Sequence, residues 1–133
     1  ILLVDDSPDD TLMYAMYLLA AGFRVITAAN GSDAVALALS VTPDLIVMDL
    51  EMPVISGWEA VRVLKEDART RSIPFVALSG FYDASSVMRA IRAGCGRFVP
   101  KPCLATELES IVRSMLTGDR DKPSVSSSPT HGP

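Results

Sequence analysis

Short runs of adjacent apolar residues alternate along this chain with stretches whose apolar positions recur every three or four residues. Ile1-Leu2-Leu3-Val4 is the first run and ends at two acids. Ser7 and Pro8 then supply a helix cap and a first-turn residue. Leu12, Met16 and Leu19 recur at helical spacing and predict a first helix packed along that stripe, which Gly22 stops. Val25-Ile26-Thr27-Ala28 predicts a second strand and Asn30-Gly31 a turn. Val35, Ala38 and Leu39 mark a second helix that Pro43 ends. Leu45-Ile46-Val47-Met48 runs without alternation, as a central parallel strand covered on both faces should, and Asp49 closes it. Trp58, Val61 and Leu64 predict a third helix after Gly57. Phe75-Val76-Ala77-Leu78 predicts a fourth strand, ended by Ser79-Gly80. Val87 and Ile91 mark helix four, Gly94 and Gly96 break it, and Phe98-Val99 is a short fifth strand. Leu104, Leu108, Ile111, Val112 and Met115 form the clearest amphipathic stripe.

Five strand–helix units in a row predict an α/β fold. Right-handed crossovers place the strands in one mainly parallel sheet with helices on both faces. Ile1 lies already inside an apolar run, so the expectation is that the first strand starts upstream of it. From Gly118 onward the pattern fails: the last sixteen positions hold four Ser, three Pro and a single large apolar residue, Val125. Residues 1–117 are therefore expected to form one domain, and 118–133 a disordered tail or linker.

Composition narrows the class. Of 133 residues, 49% are hydrophobic and 21% charged, with a mean hydropathy of +0.30, enough for one domain with a proper core. The net charge of −4 argues against a phosphate-neutralising surface for direct nucleic acid binding. No apolar run approaches the ~20 residues that span a bilayer, and no secretory leader is visible. Cys95 and Cys103 read as free thiols of a reducing compartment rather than as a disulfide. The only histidine, His131, lies in the tail, so a sulfur- and histidine-ligated zinc site is not expected.

The acids are unevenly placed: Asp5, Asp6, Asp9 and Asp10 fall within the first ten residues. Asp9 and Asp10 suit the N-terminus of the first helix, where the dipole favours negative charge. The others belong with the strand ends, because ligands of an open parallel sheet sit at its carboxyl edge. Reading those ends gives Asp5 and Asp6 after strand one, Asp49 after strand three, Ser79 after strand four and Lys101 after strand five. Clustered carboxylates raise one another's pKa unless a cation compensates. Mg²⁺, hard and oxygen-seeking, is the natural partner. A carboxylate in such a site can attack a phosphoryl group and become an acyl phosphate. Lysine and metal then neutralise the transferring oxygens.

With those residues in place, the sequence resembles a response-regulator receiver domain of two-component signalling. The matching pieces are Val4-Asp5-Asp6, the run Val47-Met48-Asp49-Leu50-Glu51-Met52-Pro53 with Gly57, Leu78-Ser79-Gly80, and Lys101-Pro102. The resemblance implies a flavodoxin-like five-stranded parallel sheet of order 2-1-3-4-5. It implies that Asp49 is the phosphoacceptor, that Asp5, Asp6 and Asp49 ligate Mg²⁺ with the backbone carbonyl of Glu51, and that Lys101 pairs with the phosphoryl group. Ser79 would move toward that group and Phe98 would change rotamer with it, altering the surface of helix four, strand five and helix five. The donor would be a sensor histidine kinase or a histidine phosphotransfer protein, the recipient a downstream protein or an attached output module, and the location cytoplasmic. A homodimer through helices four and five stays open. The Lys101-Pro102 peptide is expected to be cis.

The chain departs from the family pattern where Phe98 stands in place of a common tyrosine and where Pro100 precedes Lys101-Pro102. Glu51 and Phe81, each two residues past an active-site residue, would flank the path of an attacking water. Met13, Met16, Met48 and Met52 read as core and turn packing. Two alternatives were weighed. One is a degenerate receiver acting only as an interaction module. The other is a haloacid-dehalogenase-type phosphatase, which wants Asp-x-Asp where this chain has Asp49-Leu50-Glu51. The self-catalysed gain and loss of phosphate by a receiver is not turnover of a separate substrate, so no enzyme is expected. A dinucleotide-binding domain fails, since no Gly-x-Gly-x-x-Gly follows strand one.

Overall fold

The structure, a computed structural model, describes residues 1–52, 55–119 and 124–125, the last pair and 118–119 by backbone alone. Its strands are β1 (Leu2–Val4), β2 (Ile26–Ala28), β3 (Ile46–Asp49), β4 (Phe75–Ser79), β5 (Arg97–Pro100) and a two-residue β6 (Ser124–Val125). Between them run α1 (Pro8–Ala20), α2 (Gly31–Val41), α3 (Gly57–Glu66), α4 (Ala84–Arg92) and α5 (Ala105–Ser114), the last continued by a π-helical turn at Met115–Asp119. All pairings are parallel, and the five expected strands stand in the order 2-1-3-4-5. β6 adds to the free edge of β5. The expected disorder of the tail otherwise falls outside the described residues.

Adjacent apolar residues point to opposite faces of a strand, so the unbroken runs feed two cores. Leu2, Val4, Ile46, Met48, Phe75, Ala77 and Phe98 pack against Ala34, Ala38, Val61, Leu64 and Ala90 of α2, α3 and α4. Leu3, Val47, Val76, Leu78 and Val99 pack on the other face against Tyr14, Leu18, Leu108, Ile111 and Val112 of α1 and α5. Helix starts are fixed locally. Ser7, Asn30, Ser56 and Asp83 each accept the amide of the residue three positions on, Asp10, Asp33, Glu59 and Ser86 in turn. Asn30 thus caps a helix rather than forming a free-standing turn. Glu107 instead reaches back to the Leu104 amide at 3.3 Å.

The face of α1 is corrected by the structure. Leu12, Met16 and Leu19, expected to pack inward, are 61%, 60% and 55% exposed, whereas Tyr14 and Leu18 are buried. Met13 is likewise on the surface, while Met48 and Met52 are buried as expected. Nearly every residue from Thr11 to Ala20 is apolar, so spacing alone could not select the inward side. Leu104, read as part of the α5 stripe, is an exposed N-cap.

Candidate functional site

The carboxyl ends of β1, β3, β4 and β5 bring Asp5, Asp49, Ser79 and Lys101 to one edge of the sheet, with Asp6 at its rim. Asp5 and Asp49 are buried, at 2% and 1% exposure, and Asp6 is exposed. The two buried acids are held alike: Asp5 Oδ1 accepts the Ser7 amide at 2.9 Å, and Asp49 Oδ1 accepts the Glu51 amide at 3.1 Å. Each backbone bond orients its carboxylate so that the second oxygen faces inward. Those oxygens, Asp5 Oδ2 and Asp49 Oδ2, lie 3.8 and 3.2 Å from Lys101 Nζ and otherwise meet no hydrogen-bond donor.

Lys101 is aimed by its surroundings. Its amide donates to the Ser79 carbonyl at 2.8 Å, and the Lys101-Pro102 peptide is cis, as expected. The Tyr14 hydroxyl donates to the Cys103 carbonyl at 2.9 Å, tying this segment to α1. Burial pushes that phenol up to about 12, so it stays a donor at neutral pH. Gly57 closes the loop after β3. A Cβ there would press on the Asp49 carbonyl oxygen and sit 2.7 Å from Leu50 Cα, so only glycine lets α3 start this close to Asp49.

Electrostatics follow from burial. Burial, with Asp5 adding to it, pushes Asp49 up to about 6 against the opposing pull of Lys101. Asp5 is raised for the same first reason. Desolvation alone would lower Lys101, but the charges of Asp49 and Asp5 outweigh it and hold the ammonium above its ordinary value. One oxygen from each of Asp5, Asp6 and Asp49 lies within 4.8 Å of the others. Three carboxylates around one ammonium leave a local negative excess, and inward carboxylate oxygens without donors are what a hard cation takes.

This chain matches the response regulator receiver domain family over residues 1–113. It belongs to that family. Among similar proteins, Protein PilH of Pseudomonas aeruginosa is 34% identical over 118 residues, covering 89% of this chain and 98% of that protein. The solved receiver domain of a signal transduction histidine kinase from Syntrophus aciditrophicus is 36% identical, with a TM-score of 0.78 over 88% of this chain and 89% of that one. The chemotaxis protein CheY4 of Vibrio cholerae superposes with a TM-score of 0.80 at 28% identity, covering 85% and 94% of the two chains. The fold is thus the CheY-like flavodoxin fold, the acidic triad is consistent with a metal site of the kind receivers carry, and a receiver implies a histidine kinase partner.

Two sequence-predicted residues of this receiver stand apart from the acids. Ser79, fully buried, donates to Glu51 Oε2 at 2.6 Å and accepts the Phe81 amide at 3.0 Å, and no hydrogen bond joins it to Asp49. Phe98 is fully buried in the core under α2, α3 and α4, with the Tyr82 ring stacked on it at 6.0 Å. Tyr14, Tyr82 and the side chain of Glu51 were not singled out in these roles from sequence. Each acts across a distance along the chain, as in the 89 positions between Tyr14 and Cys103, which no local pattern encodes.

Proposed function

We propose that this receiver is a phosphorylation-activated switch in which Asp49 accepts a phosphoryl group from a phosphohistidine of a sensor kinase or histidine phosphotransfer protein. The observation that carries the reading is the pair of buried oxygens, Asp5 Oδ2 and Asp49 Oδ2, that face Lys101 and otherwise meet no hydrogen-bond donor. They fit Mg²⁺, which Asp5, Asp6, Asp49 and the backbone carbonyl of Glu51 would hold. When bound there, the ion would supply charge neutralisation for the incoming phosphoryl oxygens. In its ionised form the Asp49 carboxylate attacks phosphorus. The phosphorus–nitrogen bond to the donor imidazole breaks, and the electron pair leaves with the imidazole nitrogen. Lys101 Nζ, 3.2 Å from Asp49 Oδ2, stays charged and pairs with the transferred group.

The donor rests on α1. Leu12 and Ala15 line a cleft that continues into Asp5 and Asp6, and the exposed Leu12, Met16 and Leu19 extend it along the helix. An apolar stripe on the rim of an anionic site suits a helical phosphohistidine domain that must bring its imidazole to Asp49. After transfer, Ser79 turns toward the phosphoryl group, Phe98 adjusts beside it, and the face of α4, β5 and α5 changes for a downstream protein or attached module to read. No helix among the described residues is long and apolar enough to cross a membrane, and the switch is read as acting in the cytoplasm.

Amide chemical shifts recorded with beryllofluoride, a phosphoryl mimic, in Mg²⁺ test the switch. Changes should spread from Asp49 through Ser79 and Phe98 to α4, β5 and α5, and be absent in Asp49→Asn. Shifts confined to the acidic pocket would contradict a switching face.

A further inference from the structure

The carboxylate of Glu51 has both oxygens committed. Oε2 accepts the Ser79 hydroxyl at 2.6 Å and Oε1 accepts the Gly80 amide at 2.8 Å. Ser79 has one hydroxyl proton, and its two acceptors are Glu51 at 2.6 Å and the Phe81 carbonyl at 3.3 Å, so the short, charge-assisted bond takes it. No hydrogen bond joins that hydroxyl to Asp49. Glu51 is placed for this by the turn that its own amide makes with Asp49 Oδ1, so one residue touches both the acceptor carboxylate and the switch serine.

We infer that Glu51 is a positioning residue that latches Ser79 and Gly80 in the unphosphorylated state, and that phosphorylation must break this latch to recruit the serine. The inference rests on Asp49 as phosphoacceptor. A phosphoryl group on Asp49 carries acceptor oxygens and needs donors. The Ser79 proton serves either Glu51 or the phosphoryl group, and the same competition applies to the Gly80 amide. The latch therefore biases the domain toward its resting form by the strength of one or two charge-assisted bonds. Releasing it shifts that equilibrium roughly tenfold.

The test is the affinity for beryllofluoride in Mg²⁺ of the parent, Glu51→Ala, Glu51→Gln, Ser79→Ala and the Glu51→Ala/Ser79→Ala double variant. Glu51→Ala should bind about tenfold tighter than the parent, and Glu51→Gln, which keeps a neutral acceptor, should fall between. In the Ser79→Ala background most of that gain should vanish, because the serine is what the latch withholds. The Gly80 amide resonance of the parent should move on beryllofluoride binding to the position it takes in beryllofluoride-bound Glu51→Ala. An equal gain in both backgrounds would show simple relief of charge repulsion and overturn the latch, as would no gain at all. Failure of every variant to bind beryllofluoride would overturn the phosphoacceptor reading and the latch with it, whereas binding without coupling overturns the latch alone.

Discussion

At the scale of single residues, the proposed transfer sets two opposed demands on Asp49. The fold buries it, and it must be ionised to attack. Burial raises its pKa to about 6 from the ordinary 3.8, so the folded protein holds this proton between about pH 4 and pH 6 where the unfolded chain has released it. Stability from this group is therefore lost as pH rises through that window. In metal-free protein at about pH 7.5, Asp49→Asn should be more stable than the parent by on the order of 2 kcal/mol, a gap that closes below about pH 4. Mg²⁺ should stabilise the parent and leave the variant nearly unchanged. Thermal melts across pH with and without Mg²⁺ check this, and a parent at least as stable as Asp49→Asn throughout the metal-free series would contradict it. The residue types of the site were legible in the sequence because carboxylate, hydroxyl and ammonium each close a recognisable strand. Their pairings were not: that Ser79 donates to Glu51, 28 positions earlier, depends on how β3 and β4 sit side by side.

At the scale of elements, strands were easier to read than helix faces. An unbroken run such as Leu45-Ile46-Val47-Met48 has one solution, burial on both sides, and all four residues are buried. Charges mark the outer side of α3 and α5, as in the Arg62 pairs with Glu59 and Glu66 and the Arg113 pair with Glu109. From Thr11 onward α1 carries no charge, so the choice between Leu12-Met16-Leu19 and Tyr14-Leu18 fell to tertiary packing and to the Tyr14 bond with Cys103. That packing has a functional side, because it leaves an apolar stripe on the surface beside the acids. Leu12→Gln combined with Met16→Gln should change stability by no more than about 0.5 kcal/mol, since both side chains are largely in water. Phosphotransfer from a phosphohistidine protein should slow roughly tenfold or more, a loss of at least about 1.4 kcal/mol of docking. Labelling by acetyl phosphate, which needs no docking surface, should be unchanged. Equal slowing with both donors would place the defect in the pocket rather than on α1.

At the scale of the whole molecule, the parallel sheet with both faces covered brings together residues from 5 to 101 that share no local sequence. Every strand runs the same way, so every carboxyl end lies on one edge, and the loops there are free to carry chemistry while the two cores stay apolar. The acidic excess noted in the first ten residues resolves on this frame into Asp9 and Asp10 in the first turn of α1, and Asp5 and Asp6 in the pocket with Asp49. The role proposed for this pocket is to make Asp49 a phosphoacceptor that depends on a divalent ion. It is tested most directly by intact-mass and peptide-level mass spectrometry after exposure to a phosphorylated donor. One added phosphoryl group is expected on the parent, located at Asp49, labile to alkali, absent with a chelator and absent in Asp49→Asn. A label that survives in Asp49→Asn, or that forms as fast without divalent ions, would contradict it.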